Sequence, residues 1–303
     1  MSDSILRSLF QPVKTILYDS FRILCKNPIS FISITTLTIL PLSLLHISLA
    51  FASQPLEAQI SYKASIIGVG PIAIDLRHVY DEIRSDALSL VRLKAVYFLP
   101  SYVLSLLAAI TAVSSAALSY NGNRPSRETV LTAIRMTWPT LFVTSICVYV
   151  LTCSCSFLTR AILGLGWLAS LRQVVAVLGA GLEVFVTAVS SLGMVVSILE
   201  ERSGFEALMV GWGLMEGRRF SGVVLGGLVV LSSGGIGWGL RFLMDGKMDS
   251  GDLVGLLWKG TLIGLFCLVV LWSFVATTVL YCECRKLHGI RTGSSVELVE
   301  DTP

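Results

Sequence analysis

The sequence predicts an all-α fold, a polytopic transmembrane helical bundle of about six spans with three short interfacial helices. Three observations predict it. Several apolar runs reach the roughly 20 residues needed to cross ~30 Å of hydrocarbon. Only 14% of the 303 residues are charged, and the mean hydropathy is +0.77. Finally, an amphipathic segment precedes each odd-numbered span, and such segments lie along a membrane surface. A net charge of +3 is too slight to argue for nucleic acid, so the lipid bilayer is the expected partner. The seven cysteines are scattered through apolar or membrane-adjacent sequence, which indicates neither a zinc site nor a disulfide frame. No cofactor is expected.

The chain opens on residues 1–28, an amphipathic interfacial helix. Val13, Ile16, Leu17, Phe21 and Leu24 form its apolar stripe, while Lys14, Tyr18, Arg22 and Lys26 recur every fourth residue on a basic face suited to anionic headgroups. The charges at Lys14, Asp19, Arg22 and Lys26 exclude a cleavable signal, which needs an unbroken apolar core. Asn27-Pro28 ends this helix, because a residue before proline is pushed out of the helical region. Residues 29–281 form the membrane domain, whose spans are read as 29–52, 95–118, 139–158, 174–199, 221–240 and 253–281. Pro41 should kink the first of these. Residues 53–94 read as the longest polar connection, with 64–74 a surface or shallowly re-entrant loop and a charged helix from about Tyr80 feeding span two. Ser126 can cap a short helix that ends where Pro139 opens span three, and residues 161–173 read as a loop or half-buried turn. A polar tail, 282–303, closes the chain.

The strongest interfacial segment is EERSGFEALMVGWGLMEGRRFSGVVLG, from Glu200. Ser203 and Glu206 have the S-x-x-E spacing of a capping box. Phe205, Leu208, Met209, Trp212 and Met215 repeat at helical spacing, and Gly217 is a natural left-handed stop. Arg218 and Arg219 then place positive charge at the mouth of span five. Within that span Gly222, Gly226, Gly235 and Gly239 form two G-x-x-x-G pairs, which serve either packing within one chain or a dimer face. The regular placement of surface helix and hairpin suggests three divergent repeats. With both termini cytoplasmic, the segments on that side carry 13 of the 23 lysines and arginines, and all three interfacial helices fall there.

Charges inside spans are few and therefore informative, because an ionisable group in hydrocarbon is expensive unless paired or hydrated. At about 1.5 Å per residue, Glu183 and His46 lie about 24 and 25 Å from the cytoplasmic ends of their spans, and Lys259 lies somewhat further out. These three residues are the candidate intramembrane polar cluster. It either lines a substrate or proton path, fixes helix register through a Glu183 to Lys259 or Glu183 to His46 pair, or consists of side chains that snorkel to the surface. Cys25, Cys282 and Cys284 flank spans on the cytoplasmic side, where cysteines can be lipidated. No catalytic constellation emerges: there is no phosphate-binding glycine loop, no G-x-S-x-G and no H-E-x-x-H.

The segment Glu200 to Arg219 reads E-x-R-x-G-x-x-A-L-x-x-G-x-x-L-x-x-G-R-R. It resembles the signature of a plant family of uncharacterised six-span transmembrane proteins, and more distantly the membrane domain of bacterial glycerophosphodiester phosphodiesterases. FRILCKNPISFISITTLTILPLSLL (21–45) and TTVLYCECRKLHG (277–289) are similar to the plant family's two ends. The resemblance implies a six-span helical fold without an assigned activity. The bacterial catalytic barrel is absent, so its chemistry does not transfer. The expected role is structural, scaffolding or interaction, in an endomembrane or the plasma membrane, with membrane-protein partners or a homo-oligomer. The alternative is a transporter or channel component with a polar site around Glu183.

Overall fold

A computed structural model describes residues 2–68, 76–123, 125–164, 169–245, 253–287 and 289. These residues are helical apart from short turns. Helix α1 (Ser2–Lys26) leads into α2 (Pro28–Ile34), which passes through a π turn at Thr35–Ile39 into α3 (Leu40–Gly68). There follow α4 (Leu76–Tyr120), α5 (Arg127–Gly164), α6 (Ala169–Leu199), α7 (Gly204–Leu214), α8 (Arg219–Asp245) and α9 (Leu253–Leu287). Six stretches are long and apolar enough to cross a membrane: Pro28–Lys63, Tyr80–Tyr120, Glu128–Leu163, Gln173–Leu199, Arg219–Gly239 and Gly260–Leu287.

The long helices pair as hairpins, α3 with α4, α5 with α6 and α8 with α9. The ends of these hairpins that carry Ser119, Glu200, Arg218 and Arg285 converge, and they are called the near end below. Most buried residues belong to that half of each helix. On α4, Leu106, Ile110 and Val113 are buried together with Ala108, Ala109, Ala112 and Ala116. This run of small side chains lets α4 approach α5, α6 and α9 closely, which is how helices associate where lipid is as apolar as the core. Leu192, Val195 and Val196 of α6 and Leu271, Val275 and Val279 of α9 complete the same core. Towards the far end Phe157, Val177, Leu178, Leu231, Trp238 and Leu268 are exposed.

Several expectations are corrected. The irregularity of span one lies just before Pro41, at the π turn, where the Leu40 amide donates to the Thr35 carbonyl five residues back. Proline lacks an amide hydrogen and crowds the preceding turn, and wider bonding there relieves both. The hydroxyls of Thr35, Thr36 and Thr38 donate to the carbonyls of Phe31, Ile32 and Ile34 at 2.8, 2.6 and 2.8 Å, so the loosened backbone stays bonded. Residues 53–68 are helix, not loop, because α3 continues to Gly68 against α4. Lys63 pairs there with Asp86 at 2.7 Å and Glu82 at 3.1 Å, and Lys94 pairs with Glu57 at 2.9 Å. The remainder of the expected re-entrant loop, 69–75, lies outside the described residues. The amphipathic segment after Ser126 is the first part of α5, which runs without interruption through Pro139. Residues 161–164 and 169–173 extend α5 and α6, and 165–168 lie outside the described residues.

Helix α1 buries Val13, Ile16 and Ile23 and exposes Lys14, Tyr18, Arg22 and Lys26, as its periodicity requires. Phe21 departs from the buried stripe: it is exposed and stacks on Trp272 of α9 at 6.3 Å. In α8, a Cβ at Gly222 would lie 2.4 Å from Met215 Cε, and one at Gly226 would lie 3.3 Å from Ala188 Cβ. That first glycine pair therefore serves close packing within the chain. Gly235 faces open space.

Candidate functional site

The densest polar arrangement among the described residues lies at the near end, where the last turn of α9 meets the ends of α4 and α6 and the start of α8. Tyr281 and Arg285 are four residues apart and so share one side of α9. Both reach Glu200, the first residue beyond α6. The Tyr281 hydroxyl donates to Glu200 Oε1 at 2.6 Å, and Arg285 does so at 2.7 Å. Arg285 also donates to the Tyr281 oxygen. The Glu200 and Arg285 side chains are only 16% and 18% exposed, so this is a largely buried pair. Arg202 Nε stands 3.6 Å from the second oxygen of Glu200 and also pairs with Glu206 at 2.7 Å.

Glu283, on another side of α9, gathers a second set. Tyr120, the last residue of α4, donates to Glu283 Oε1 at 2.7 Å. Lys286 lies 3.4 Å from the same oxygen, and Arg218, just before α8, lies 3.5 Å from the other. Lys286 also sits 4.6 Å over the Tyr120 ring and donates to its oxygen. Asn27, between α1 and α2, donates to Ser119 Oγ of α4 at 3.1 Å. The ends of α4, α6 and α9, the start of α8 and the junction of α1 with α2 are thus tied together. Glu200 and Glu283 are each met by two cations and a phenol, so the arrangement is a closed set of charge-assisted contacts. Among the described residues, no group of three or more His, Cys, Asp or Glu side chains could hold a metal ion.

Helix α7 lies beside this network, and its sequence determines how. Gly204, Ala207, Leu208, Gly211 and Leu214 are buried against the protein, whereas Phe205, Met209 and Trp212 are exposed. The apolar repeat anticipated from the sequence as one stripe is therefore two faces. Gly211 makes the closest approach: a Cβ there would stand 2.9 Å from the Gly193 backbone nitrogen. Trp212 packs edge-on against Phe185 of α6 at 5.1 Å, with the Arg219 guanidinium 6.0 Å from its ring centre.

The capping box does not form. Ser203 makes no side-chain cap hydrogen bond, and Glu206 is engaged by Arg202. The role passes to Thr144 of α5, whose oxygen accepts the Gly204 amide at 2.9 Å and contacts Ser197 Oγ at 2.9 Å, while its hydroxyl donates to the Thr140 carbonyl. Gly204 has φ +64, a conformation that costs glycine little. Gly217, expected as the left-handed stop, has φ +92. Thr144→Val keeps the shape but leaves the Gly204 amide unpaired, and we expect it to destabilise the fold by about 1–3 kcal/mol in a detergent unfolding titration.

The intramembrane residues are not assembled into one cluster. Glu183 accepts from Ser156 Oγ of α5 at 3.0 Å, and His46 Nδ1 contacts the Leu42 carbonyl of its own helix at 2.9 Å. Helices α3 and α6, which carry His46 and Glu183, are not in contact among the described residues. Lys259 lies on α9, with its side chain outside the described residues. Counted from the Glu200 to Arg285 pin, Glu183 stands about 25 Å away along its helix and the Lys259 backbone about 39 Å, a mismatch too large for a direct pair. Of the expected lipidation sites, Cys25 is exposed, but Cys282 and Cys284 are 4% and 1% exposed. Helix packing closes those two thiols off from an acyl donor.

Residues missed by sequence reasoning are Glu200, Tyr281, Arg285, Tyr120, Glu283 and Lys286. The spacing of 281 with 285 and of 283 with 286 was visible, but their partners on other elements lie 65 to 166 residues away. No curated protein and no solved structure matches the chain, and similarity to plant six-span proteins or to the bacterial phosphodiesterase membrane domain is not shown by these comparisons. Residues 9–294 match the model of a domain of unknown function, DUF8558, and the chain belongs to that family.

Proposed function

We propose that this chain is an integral multi-pass membrane protein without catalytic activity of its own, a scaffold that fastens three helical hairpins together at the cytoplasmic face of an endomembrane or the plasma membrane. Both termini lie on that face. The observation that carries the reading is the near end itself, where buried carboxylates are closed by cations and phenols from other helices while α7 turns Phe205, Met209 and Trp212 outward. Such a face is suited to the boundary between headgroups and acyl chains. Arg202, Arg219, Lys286 and the exposed Lys14, Arg22 and Lys26 of α1 supply positive charge around it for anionic headgroups. The likeness of residues 200–219 to the plant six-span signature supports the same reading. A transporter built on Glu183 is less well supported, because Glu183 and His46 have separate partners.

The test is extraction and sidedness. In a cysteine-replaced background, Arg127→Cys and Glu216→Cys should react with a membrane-impermeant maleimide from one side of sealed vesicles, and Ser61→Cys from the other. The protein should stay in the membrane pellet after washing with alkaline carbonate. Release by carbonate, or labelling of positions 127 and 216 from opposite sides, would overturn the proposal.

A further inference from the structure

Glu183 sits near the middle of α6, in a stretch from Gln173 to Leu199 that is apolar enough to cross a membrane, and its side chain is exposed on the outside of the bundle. Its partner is the Ser156 hydroxyl, at 3.0 Å. No cation pairs with it among the described residues. Arg160, one turn beyond Ser156 on α5, is exposed and forms no ion pair with it. Helix α8, on the other side of α6, carries no charged residue from Phe220 to Leu240. Lys259 is at the wrong level, as shown above. An outward carboxylate among acyl chains is expensive unless a partner meets it.

The surroundings of Glu183 identify the shape of that partner. Ala176, Ala180 and Glu183 are exposed and Thr187 is half-buried, at helical spacing on one face of α6. Thr152 and Cys153 are exposed on the neighbouring α5, one turn from Ser156. Val174, Val177, Leu178 and Leu182, by contrast, give the rest of this surface the bulky side chains suited to lipid. Small residues beside a polar group let a second helix come close enough for its side chain to reach that group.

We propose that the outward face of the α5–α6 hairpin docks a transmembrane helix of another protein, one that carries a lysine or arginine at the depth of Glu183. Charge complementarity sets the basic residue, and the small-residue track sets the helix. This proposal rests on the reading of the chain as a membrane-spanning scaffold and adds the class of its partner.

The experiment uses the full chain in lipid vesicles, labelled for energy transfer to synthetic leucine–alanine transmembrane peptides. One peptide carries a single lysine about 17 residues from its cytoplasmic end, the separation of Glu183 from Glu200, and a second carries none. The wild-type chain should bind the lysine peptide about tenfold more tightly than the plain one. Glu183→Gln should abolish the preference, and Glu183→Lys should transfer it to a peptide with glutamate at the same position. Equal binding of the two peptides by wild-type protein overturns the proposal. Self-association of labelled chains that disappears in Glu183→Gln also overturns it, by placing a second copy on this face. Carbonate extraction of the protein would sink the scaffold reading as well, whereas a carbonate-resistant protein without peptide preference sinks this inference alone.

Discussion

Glu200→Ala will lower the stability of the purified protein by about 3–5 kcal/mol, because it leaves the Arg285 guanidinium and the Tyr281 hydroxyl facing an interior with no carboxylate to receive them. The loss is read as an earlier midpoint in a denaturing-detergent titration followed by circular dichroism. The charge itself is not what the fold requires. Replacing both partners with apolar groups of similar size, Glu200→Leu together with Arg285→Met, should recover most of the loss, since two desolvated charges disappear together. The pair is a constraint on which helices meet more than a source of net energy. A loss below about 1 kcal/mol for Glu200→Ala would place the pair among exposed ion pairs and remove it from the core of the argument.

Gly211→Val should also unsettle the near end, by about 1–3 kcal/mol, for a steric reason. The new side chain would start 2.9 Å from the Gly193 nitrogen and 3.2 Å from its Cα, so the backbones of α6 and α7 must separate. The neighbouring Gly213 is the control: a Cβ there meets nothing within 4 Å, and Gly213→Val should leave the midpoint nearly unchanged. Trypsin cleavage after Arg202 reports the same event independently, rising in the first variant and not in the second. Equal behaviour of the two variants would mean that the α6–α7 crossing tolerates separation.

The architecture was legible because hydrocarbon reads composition directly: a stretch such as 173–199 announces a crossing helix by length and apolarity alone. The same property hides what each side of a helix touches. Phe205 and Leu208 are equally apolar, yet one is exposed and the other buried, because lipid and protein interior make similar demands on a side chain. The informative residues in α7 were Gly204, Ala207 and Gly211, whose small size marks the side that meets protein. Hydropathy also misread 53–68, where charge suggested a loop, because Lys63 finds Asp86 and Glu82 across a helical hairpin. The near-end network was illegible for a different reason. Glu200 and Arg285 acquire meaning through contact, and nothing local in either segment names the other.

The order in which the near end is tied together bears on how the protein is made. Glu200 and Tyr120 leave the ribosome long before Tyr281, Glu283, Arg285 and Lys286, so the first five long apolar helices are made before their polar anchors have partners on α9. Completion waits for the sixth helix to arrive and close both carboxylate sets in one step. A chain stalled or cut before that helix would present Glu200 and Arg218 at the near end without their α9 partners.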